Sequence, residues 1–356
     1  MTFRVIQWAT GAMGKTCLRA VLDHPDMTLV GLYVYGAAKA GRDAGDIAKR
    51  PATGVLATTD VETILALDAD VVIHCARLAP PYGSHDAEIL RLLESGKNVI
   101  SINGYSDPLA WRGERLAALE AACRKGGASL MGAGLNPGFA AEQLAVVASG
   151  ICADIDAIEV VESVDCRAVR SPEYVFDVLG FGSDPAKVDP NDPAWGPASS
   201  LNGMYAETLS AMAKSMGLSL SRIVTEHRVF GATEALEVAA GTIAQGRVAH
   251  VNWRWIGHAE GDRRLIMSIH WFMEPAHLDE ADPPLWRLKI QGRPGVRIAV
   301  DLDKHPEDRT PTTAEQWAVA GSVINAIPVV CAAEPGPVTR PLATPFRLNP
   351  DRRALA

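Results

Sequence analysis

The stretch QWATGAMGKTCL, residues 7–18, aligns with two different phosphate-binding motifs. From Ala9 onward it matches all but the first residue of the P-loop signature G-x-x-x-x-G-K-[ST]. It also matches all but the first residue of the dinucleotide fingerprint G-x-G-x-x-G. Ala9 stands in place of the first glycine in both alignments. The elements on either side of the stretch must therefore decide between a nucleoside triphosphate and a nicotinamide dinucleotide.

The flanking segments favour the dinucleotide. Residues 3–8, FRVIQW, form a short apolar run typical of a strand, and a helical pattern follows Gly14. A second strand pattern, residues 27–35, ends about 20 residues beyond Gly14, as a βαβ dinucleotide unit requires. In this context Gly11 allows a pyrophosphate to approach the backbone, and Gly14 allows the helix to pack on the strand.

The partners of a P-loop are missing from the sequence. A P-loop enzyme needs an apolar strand ending in Asp, which holds Mg²⁺ beside the Thr of G-K-T. The early strands end instead in HCA (74–76) and IN (102–103), and the one suitable carboxylate, Asp301, lies in the wrong half of the chain. We therefore predict a dinucleotide site. Its predicted residues here are Thr10, Gly11, Ala12, Met13 and Gly14, with Ala76 at the end of the next strand.

The choice of dinucleotide depends on VYGAAKAGRD, residues 34–43. An NAD site usually has Asp or Glu at the end of the second strand, where it binds the ribose hydroxyls. This chain has Tyr35 there, followed by Lys39 and Arg42. Two cations without a carboxylate suit the 2′-phosphate of NADP better, so we predict NADP, with NAD as the alternative. The competing interpretation is that Lys39 and Arg42 are ordinary solvated cations of a surface loop.

The hydrophobic pattern changes along the chain. Strand-like and helical runs first alternate, which predicts an α/β fold with a parallel, doubly wound sheet. Residues 136–149 read as a helix with Pro137 in its first turn, and residues 183–200 as a long surface loop. Most later segments are strand-like with period-two alternation, which predicts a largely antiparallel sheet. Residues 312–333 are apolar and helical and are expected to return to the first domain.

Composition excludes several classes of partner. The formal net charge of -8 and the lack of a long basic run argue against nucleic acid and anionic membranes. No signal peptide is apparent, and no apolar run approaches the ~18 residues needed to span a bilayer. The six cysteines are scattered, without a C-x-x-C pair, which predicts reduced thiols in a cytoplasmic protein. The nine histidines show no H-E-x-x-H motif, so no metal site is predicted.

Four segments together resemble a known family of enzymes. They are VIQWATGAMG (5–14), VYGAAKAGRDAGD (34–46), GAGLNPGF (132–139) and NAIPVVCAAEPGPVT (325–339). As a set they are similar to the NAD(P)-dependent amine dehydrogenases and 2,4-diaminopentanoate dehydrogenases, whose N-terminal domain is like that of dihydrodipicolinate reductase. The resemblance implies hydride transfer to an imine or carbonyl. It also implies that Asn136 lies near the nicotinamide and that Asn325 approaches its carboxamide.

The resemblance also implies a domain organisation. We expect an NAD(P)-binding Rossmann domain at residues 1–136 and an α+β substrate-binding domain with an open, largely antiparallel sheet at 137–310. The open sheet would also form a homodimer. Residues 311–356 would be a C-terminal helix and tail returning to the Rossmann domain.

The sequence departs from this family after the fourth predicted strand. Amine dehydrogenases carry a Ser-Thr-x-Glu-Glu-type run there, whereas this chain reads SINGYSD (101–107), with Asp107 a few residues late. The His-His-x-x-x-Lys-type cluster of dihydrodipicolinate reductases is also absent. Since the carboxyl ends of parallel strands line the crevice, the candidate catalytic residues are Asn103 and Tyr105. Tyr105 is a candidate general acid, or a residue that only packs or forms a hydrogen bond.

Aromatic residues predict the character of the substrate. Phe139, Tyr174, Phe176 and Trp271 are candidates for an apolar substrate pocket, and sheet core or interface is the alternative role. We predict an NAD(P)H-dependent oxidoreductase that transfers hydride to the C=O or C=N carbon of a small hydrophobic substrate. The alternatives are a non-catalytic NAD(P)-binding redox sensor and a true amine dehydrogenase with a displaced carboxylate.

Overall fold

The computed structural model describes residues 2–107, 114–308 and 310–339, which fall into two compact units. Unit 1 comprises Met1–Leu78, Gly83–Phe139 and Asp303–Pro341. Unit 2 comprises Ala79–Tyr82 and Ala140–Leu302. The part of the predicted tail beyond residue 339 lies outside the described residues. Every helix of the described chain is too short or too polar to span a bilayer.

A parallel sheet of seven strands forms the centre of unit 1. The strands are β1 (Phe3–Trp8), β2 (Met27–Tyr33), β3 (Ala57–Thr58), β4 (Val71–His74), β5 (Asn98–Ser101), β6 (Ser129–Gly132) and β16 (Gly336–Pro337). Their order is β3-β2-β1-β4-β5-β6-β16, so the connection reverses direction between β1 and β4. All four residues of β4 are buried, as expected for a strand with both faces covered. Ligands of such sheets bind outside the carboxyl ends of the strands at this reversal.

Helices cover both faces of the sheet of unit 1. They are α1 (Ala12–Asp23), α2 (Ala44–Ala48), α3 (Val61–Ala66), α4 (Asp86–Glu94), α5 (Glu114–Gly126) and α8 (Ala314–Cys331). One core cluster contains Leu18 and Val21 of α1 together with Val323 and Ile327 of α8. A second cluster contains residues of α3, α4 and α5. Thr313 begins α8 with a reciprocal capping box, and β16 extends the sheet at β6. The C-terminal helix is therefore part of the first unit.

A mixed, largely antiparallel sheet forms unit 2. Its strands are β7 (Asp154–Asp165), β8 (Leu220–Thr225), β9 (Arg228–Gly231), β12 (Val248–Ala259), β13 (Arg263–Phe272), β14 (Trp286–Arg293) and β15 (Val296–Val300). The order is β15-β14-β7-β13-β12-β8, with β9 paired to β12 and only β7 and β13 parallel among these pairs. A separate hairpin consists of β10 (Leu236–Val238) and β11 (Gly241–Ile243).

One face of this sheet packs on a long helix. The helices of unit 2 are α6 (Val146–Ser149) and α7 (Gly196–Ser215), with π-helical turns at Ala140–Ala145 and Glu173–Val178. Tyr205 of α7 stacks on Trp255 of β12, with ring centroids 4.3 Å apart. Arg254, the neighbour of Trp255 on the strand, points to the opposite face, because side chains alternate along a strand. There its guanidinium binds Glu159 of β7, with Nη1 and Oε1 2.8 Å apart.

The predicted fold class is confirmed by the parallel doubly wound sheet and by the largely antiparallel second sheet. Two local predictions differ from the structure, and one short strand was missed. Residues 183–200 are not loop throughout, since α7 begins at Gly196 with Pro197 in its first turn. The single helix expected at 136–149 is a turn containing a cis peptide at Pro137, then the π-helical turn, then α6. The short β3 was not predicted.

Candidate cofactor site

The glycine loop between β1 and α1 has the backbone that a dinucleotide site requires. Ala9 adopts the left-handed conformation, with φ 73°, at the position where the motif has its first glycine. This conformation costs an L residue about 1–2 kcal/mol because of its Cβ atom. Alanine, which has only that Cβ atom, is the smallest L residue that can stand at this position. The amide of Ala9 donates to the carbonyl of Tyr33 at 2.9 Å, and its carbonyl accepts from Gln7 Nε2 at 3.0 Å. These bonds hold the strained residue in place.

The two remaining glycines of the motif have different surroundings. A Cβ added to Gly14 would lie 2.2 Å from the carbonyl oxygen of Ala9, so only glycine allows α1 to pack this closely on the loop. A Cβ added to Gly11 would meet no atom within 4 Å. Gly11 is also the N-cap of α1, where backbone amides and the helix dipole attract anions. The geometry thus leaves open space where a pyrophosphate would bind.

Two cations lie at the start of α1, Lys15 in the helix and Lys39 against the loop before it. The ammonium of Lys39 donates to both the carbonyl and the hydroxyl oxygen of Thr10, each at 2.9 Å. Partial burial, together with the charges of Lys15 and Arg42, lowers the pKa of Lys39. Lys39 therefore lies against the glycine loop and within the field of two further cations. Clustered like charges at a helix N-terminus favour the binding of a phosphate.

Asp43, the first carboxylate after β2, forms its hydrogen bonds with the loop that follows it. Asp43 accepts hydrogen bonds from the backbone amides of Thr53 at 3.0 Å, Gly45 at 2.7 Å and Gly54 at 2.8 Å. These hydrogen bonds lower the pKa of Asp43 and keep it ionised. Asp43 thus fixes the connection between α2 and β3.

A cluster of polar side chains, not foreseen from the sequence, lies at the ends of β1, β2 and β4. Glu88, in the first turn of α4, accepts from the Tyr35 hydroxyl at 2.7 Å, from Trp8 Nε1 at 3.2 Å and contacts His74 Nε2 at 3.3 Å. Desolvation opposes ionisation of Glu88, but the bonds to His74 and Tyr35 outweigh it and lower the pKa. Burial lowers the pKa of His74. A signal for this cluster was available in HCA (74–76) and in H-D-A-E (85–88), since α4 begins near the end of β4.

Asn103 joins the ends of two neighbouring strands. Its side-chain amide donates to the carbonyl of Ala76 at 2.8 Å, and its backbone amide donates to Ser101 Oγ at 3.2 Å. Asn103 and Ala76, both predicted site residues, are therefore in direct contact. The side-chain amide of asparagine carries a second N–H, so this bond leaves one donor.

Tyr105 is held inside unit 1. Its hydroxyl donates to Asp86 Oδ1 at 2.6 Å, and the guanidinium of Arg115 binds the same carboxylate and lies 5.2 Å from the ring centroid. The side chain is 1% exposed, and burial, followed by the charge of Asp86, raises the pKa of Tyr105. A phenol with a raised pKa is a weaker acid, and this one already has an acceptor. The role of Tyr105 as proton donor stays a prediction.

The other predicted residues are divided between the units. In unit 1, Phe139 is 37% exposed, Asn136 is partly exposed after β6, and Asn325 lies on the exposed side of α8. In unit 2, Tyr174 and Phe176 share one π-helical turn, and Trp271 of β13 meets Trp253 edge to face at 5.8 Å. The displaced carboxylate Asp107 is 3% exposed.

The sequence has relatives that match this architecture. Residues 5–80 match the family of the dihydrodipicolinate reductase N-terminus. The chain is 28% identical over 354 residues to an amine dehydrogenase of Streptomyces virginiae, covering 93% of each chain. It is 38% identical over 104 residues to a 4-hydroxy-tetrahydrodipicolinate reductase of Burkholderia mallei (strain SAVP1), covering 29% of this chain and 37% of the relative.

A solved structure extends the similarity to both units. The amine dehydrogenase of Mycobacterium smegmatis superposes with a TM-score of 0.78 at 20% sequence identity, covering 98% of each chain. At this identity the superposition establishes the fold. The predicted resemblance to amine dehydrogenases is thereby confirmed along the length of the chain, with a first domain of the dihydrodipicolinate reductase type. The chain has the architecture of an NAD(P)-dependent dehydrogenase.

Two substitutions in the glycine loop separate folding from binding. Gly14→Ala places a methyl group against the Ala9 carbonyl, so we expect the free energy of unfolding to fall by about 3 kcal/mol. Gly11→Val faces open space, so its unfolding free energy should change by no more than about 1 kcal/mol. The valine should nevertheless abolish NADPH binding. Urea denaturation and fluorescence titration measure the two effects, and unchanged NADPH binding by Gly11→Val would place the pyrophosphate elsewhere.

Tyr105→Phe tests whether the buried hydroxyl is structural. Removing its hydrogen bond to Asp86 should lower the free energy of unfolding by about 1.5–3 kcal/mol, with kcat unchanged within about threefold. Tyr82→Phe is a matched control, because it removes a tyrosine–carboxylate bond of 2.5 Å to Glu207 within unit 2. A kcat loss of about 10²–10⁴-fold with unchanged stability would instead identify Tyr105 as the general acid.

Proposed function

We propose that this amine dehydrogenase-like NAD(P)-dependent oxidoreductase transfers hydride from NADPH to the C=O or C=N carbon of a small hydrophobic substrate. The observation that carries the proposal is the glycine loop, where Gly11 opens onto free space at the N-terminus of α1 while Gly14 closes the helix onto Ala9. Similarity to an amine dehydrogenase over 93% of the chain supports the reaction class.

NADP is the proposed cofactor. Lys39 and Arg42 follow β2, near the place where an NAD enzyme has a carboxylate. The charges of Lys15 and Arg42 lower the pKa of Lys39, and this clustering of positive charge supports an anion site there. Asp43, the first carboxylate after β2, is bound by its own loop. A 2′-phosphate would therefore gain charge-assisted bonds in this region.

Further contacts are assigned to the rest of the cofactor. Thr10, Gly11, Ala12, Met13 and Gly14 would hold the pyrophosphate, Tyr35 would lie beside the adenosine, and Ala76, Asn136 and Asn325 would line the nicotinamide half. When bound, the nicotinamide supplies a hydride. The protein then has to orient the acceptor carbon and stabilise charge on the atom bonded to it.

We assign polarisation of the substrate to Asn103. One of its side-chain N–H groups is fixed on Ala76, which orients the amide, and the second would donate to the carbonyl oxygen. A bound water would deliver the proton, because the Tyr105 hydroxyl already donates to Asp86. Asn103 thus replaces, in part, the acidic run that this chain lacks.

Carbonyl reduction is proposed as the preferred reaction. Gly104, with φ 89°, and Tyr105, with φ 64°, are both left-handed, a conformation that L side chains rarely adopt. A glutamate at Gly104 would therefore be strained. Asp107 is buried, so its carboxylate would have to leave that environment to bind an ammonium. A carbonyl needs a hydrogen-bond donor instead of a carboxylate.

The substrate and the assembly follow the same proposal. Within unit 2, Tyr174, Phe176 and Trp271 would contact an apolar substrate, which disfavours strongly charged substrates. We propose a homodimer formed through the face of the unit 2 sheet that carries Arg254 and Glu159.

All six cysteines are free thiols, which supports a reducing, cytoplasmic location.

Removal of the two loop cations tests the cofactor. Each well-formed bond to a 2′-phosphate contributes about 1.5–3 kcal/mol, so Lys39→Ala and Arg42→Ala should each weaken NADPH binding by roughly 10- to 100-fold. NADH binding should change by less than about threefold. Lys125→Ala, which removes an exposed cation paired with Glu94, controls for net charge. Equal losses for both cofactors would make the loop cations bystanders.

A ketone panel with and without ammonia tests the reaction. We expect NADPH oxidation with small apolar ketones or aldehydes in the absence of ammonia. Asn103→Leu should reduce kcat by about 10²–10³-fold, the usual effect of losing one oxyanion donor. Asp107→Asn is the matched control and should retain the rate of ketone reduction. Turnover that requires ammonia and disappears in Asp107→Asn would overturn the preference for carbonyls and indicate an amine dehydrogenase with a displaced carboxylate.

A further inference from the structure

Three metal-ligating side chains meet between the end of β4 and the start of α4. His74 is the last residue of β4, His85 is the N-cap of α4, and Glu88 lies in its first turn. Glu88 Oε2 is 3.3 Å from His74 Nε2 and 3.8 Å from His85 Nδ1. The three potential ligand atoms all lie within 4.8 Å of one another. In the described part of the chain this is the one group of three or more such residues that is close enough to share an ion.

The distances fit tetrahedral coordination. Zinc binds imidazole nitrogen and carboxylate oxygen at about 2.0–2.2 Å, so the corners of its tetrahedron are about 3.3–3.6 Å apart. The separations of 3.3 and 3.8 Å between Glu88 Oε2 and the two imidazole nitrogens are close to that range. The third separation, between the two imidazole nitrogens, is at most 4.8 Å, so the imidazoles would turn toward the ion on binding. Two imidazoles and a carboxylate leave a fourth position for water.

The second nitrogen of each imidazole also meets an oxygen. His85 Nε2 lies 2.8 Å from the carbonyl of Arg77, and His74 Nδ1 lies 3.4 Å from Ser101 Oγ. Metal-binding histidines usually use their other nitrogen in this way, which fixes the ring orientation. Because a carbonyl only accepts, His85 must carry a proton on Nε2. In the neutral ring, Nδ1 then presents a lone pair to the carboxylate.

That lone pair needs a positive charge between it and the carboxylate. A lone pair and an ionised carboxylate repel each other unless a metal ion or a proton lies between them.

The side chain of His74 is fully buried, whereas those of His85 and Glu88 are 16% and 29% exposed. The cluster is thus closed on the side of the strand and open on the side of the helix, which leaves an entry path for an ion.

We propose that His74, His85 and Glu88 bind a divalent ion of the zinc class. The mixed nitrogen and oxygen donor set suits zinc, cobalt or nickel better than magnesium or calcium. The ion would tie the end of β4 to the first turn of α4 and would hold Glu88 in contact with the Tyr35 hydroxyl. This site does not depend on the proposed reaction. It is opposed to the sequence-based expectation of no metal, which rested on the absence of H-E-x-x-H and which stays a prediction.

A zinc titration of the chelator-treated, tag-free full chain, without cofactor, tests the site. We expect one equivalent of Zn²⁺ per chain by calorimetry, with a rise in Tm. His85→Ala and Glu88→Gln should each weaken binding by on the order of 100-fold, since loss of a residue that merely orients a ligand already costs 10- to 100-fold. His24→Gln is the matched control, because His24 lies in the sequence between the exposed Asp23 and Asp26, and this variant should bind zinc like the wild type.

Cobalt gives a second measurement that needs no variant. Co²⁺ bound by two imidazoles and a carboxylate in a tetrahedron should give intense visible absorption, and one equivalent of Zn²⁺ should abolish it. Less than half an equivalent of bound metal in the wild type would overturn the proposal. Equal weakening by His24→Gln and His85→Ala would reassign the binding to surface side chains. Unchanged binding in His85→Ala would show that His85 meets Glu88 through a proton instead.

Discussion

The contact between Gly14 and the carbonyl of Ala9 is the constraint on which the first unit depends. A single added methyl group would lie 2.2 Å from that oxygen. Because the approach is this close, α1 starts directly above the end of β1, with its unpaired amides at the point where the sheet reverses direction. The left-handed Ala9 makes the approach possible. The cofactor proposal follows from this one piece of backbone.

Much of this was predictable because the signals are local. The two sheets differ in hydrophobic period, and the motif around Gly11 needs only its neighbouring strand and helix for interpretation. The departure after β5 was likewise visible in Gly104. In contrast, α7 was hidden because it is rich in small residues and buried on several sides, so no apolar stripe stands out against a polar one. A strand as short as β3 carries no periodic signal at all.

The side-chain partners in the site were less predictable than the fold. Tyr105 was predicted to be either a general acid or a residue that packs or forms a hydrogen bond, and neither alternative pointed to its partners Asp86 and Arg115, which come from α4 and α5. Glu88 reaches Tyr35 across 53 residues of sequence. Such pairs depend on how the helices are placed over the sheet, and this placement cannot be predicted from the spacing of residues in the sequence. Sequence located the strand ends where polar groups gather, and only the structure showed which groups bind one another.

The return of α8 to the first sheet affects how the chain can fold during synthesis. Unit 1 is built from both ends of the chain, whereas most of unit 2 is the continuous segment Ala140–Leu302. Val323 and Ile327 share a core with α1, and β16 forms the edge of the sheet at β6. Domains that emerge first from the ribosome usually fold first, but here unit 1 must wait for α8, which is made after the continuous segment of unit 2. The nascent chain would therefore complete the continuous segment of unit 2 while unit 1 still lacks α8. Unit 1 would then stay exposed to chaperones and proteases for longer than unit 2.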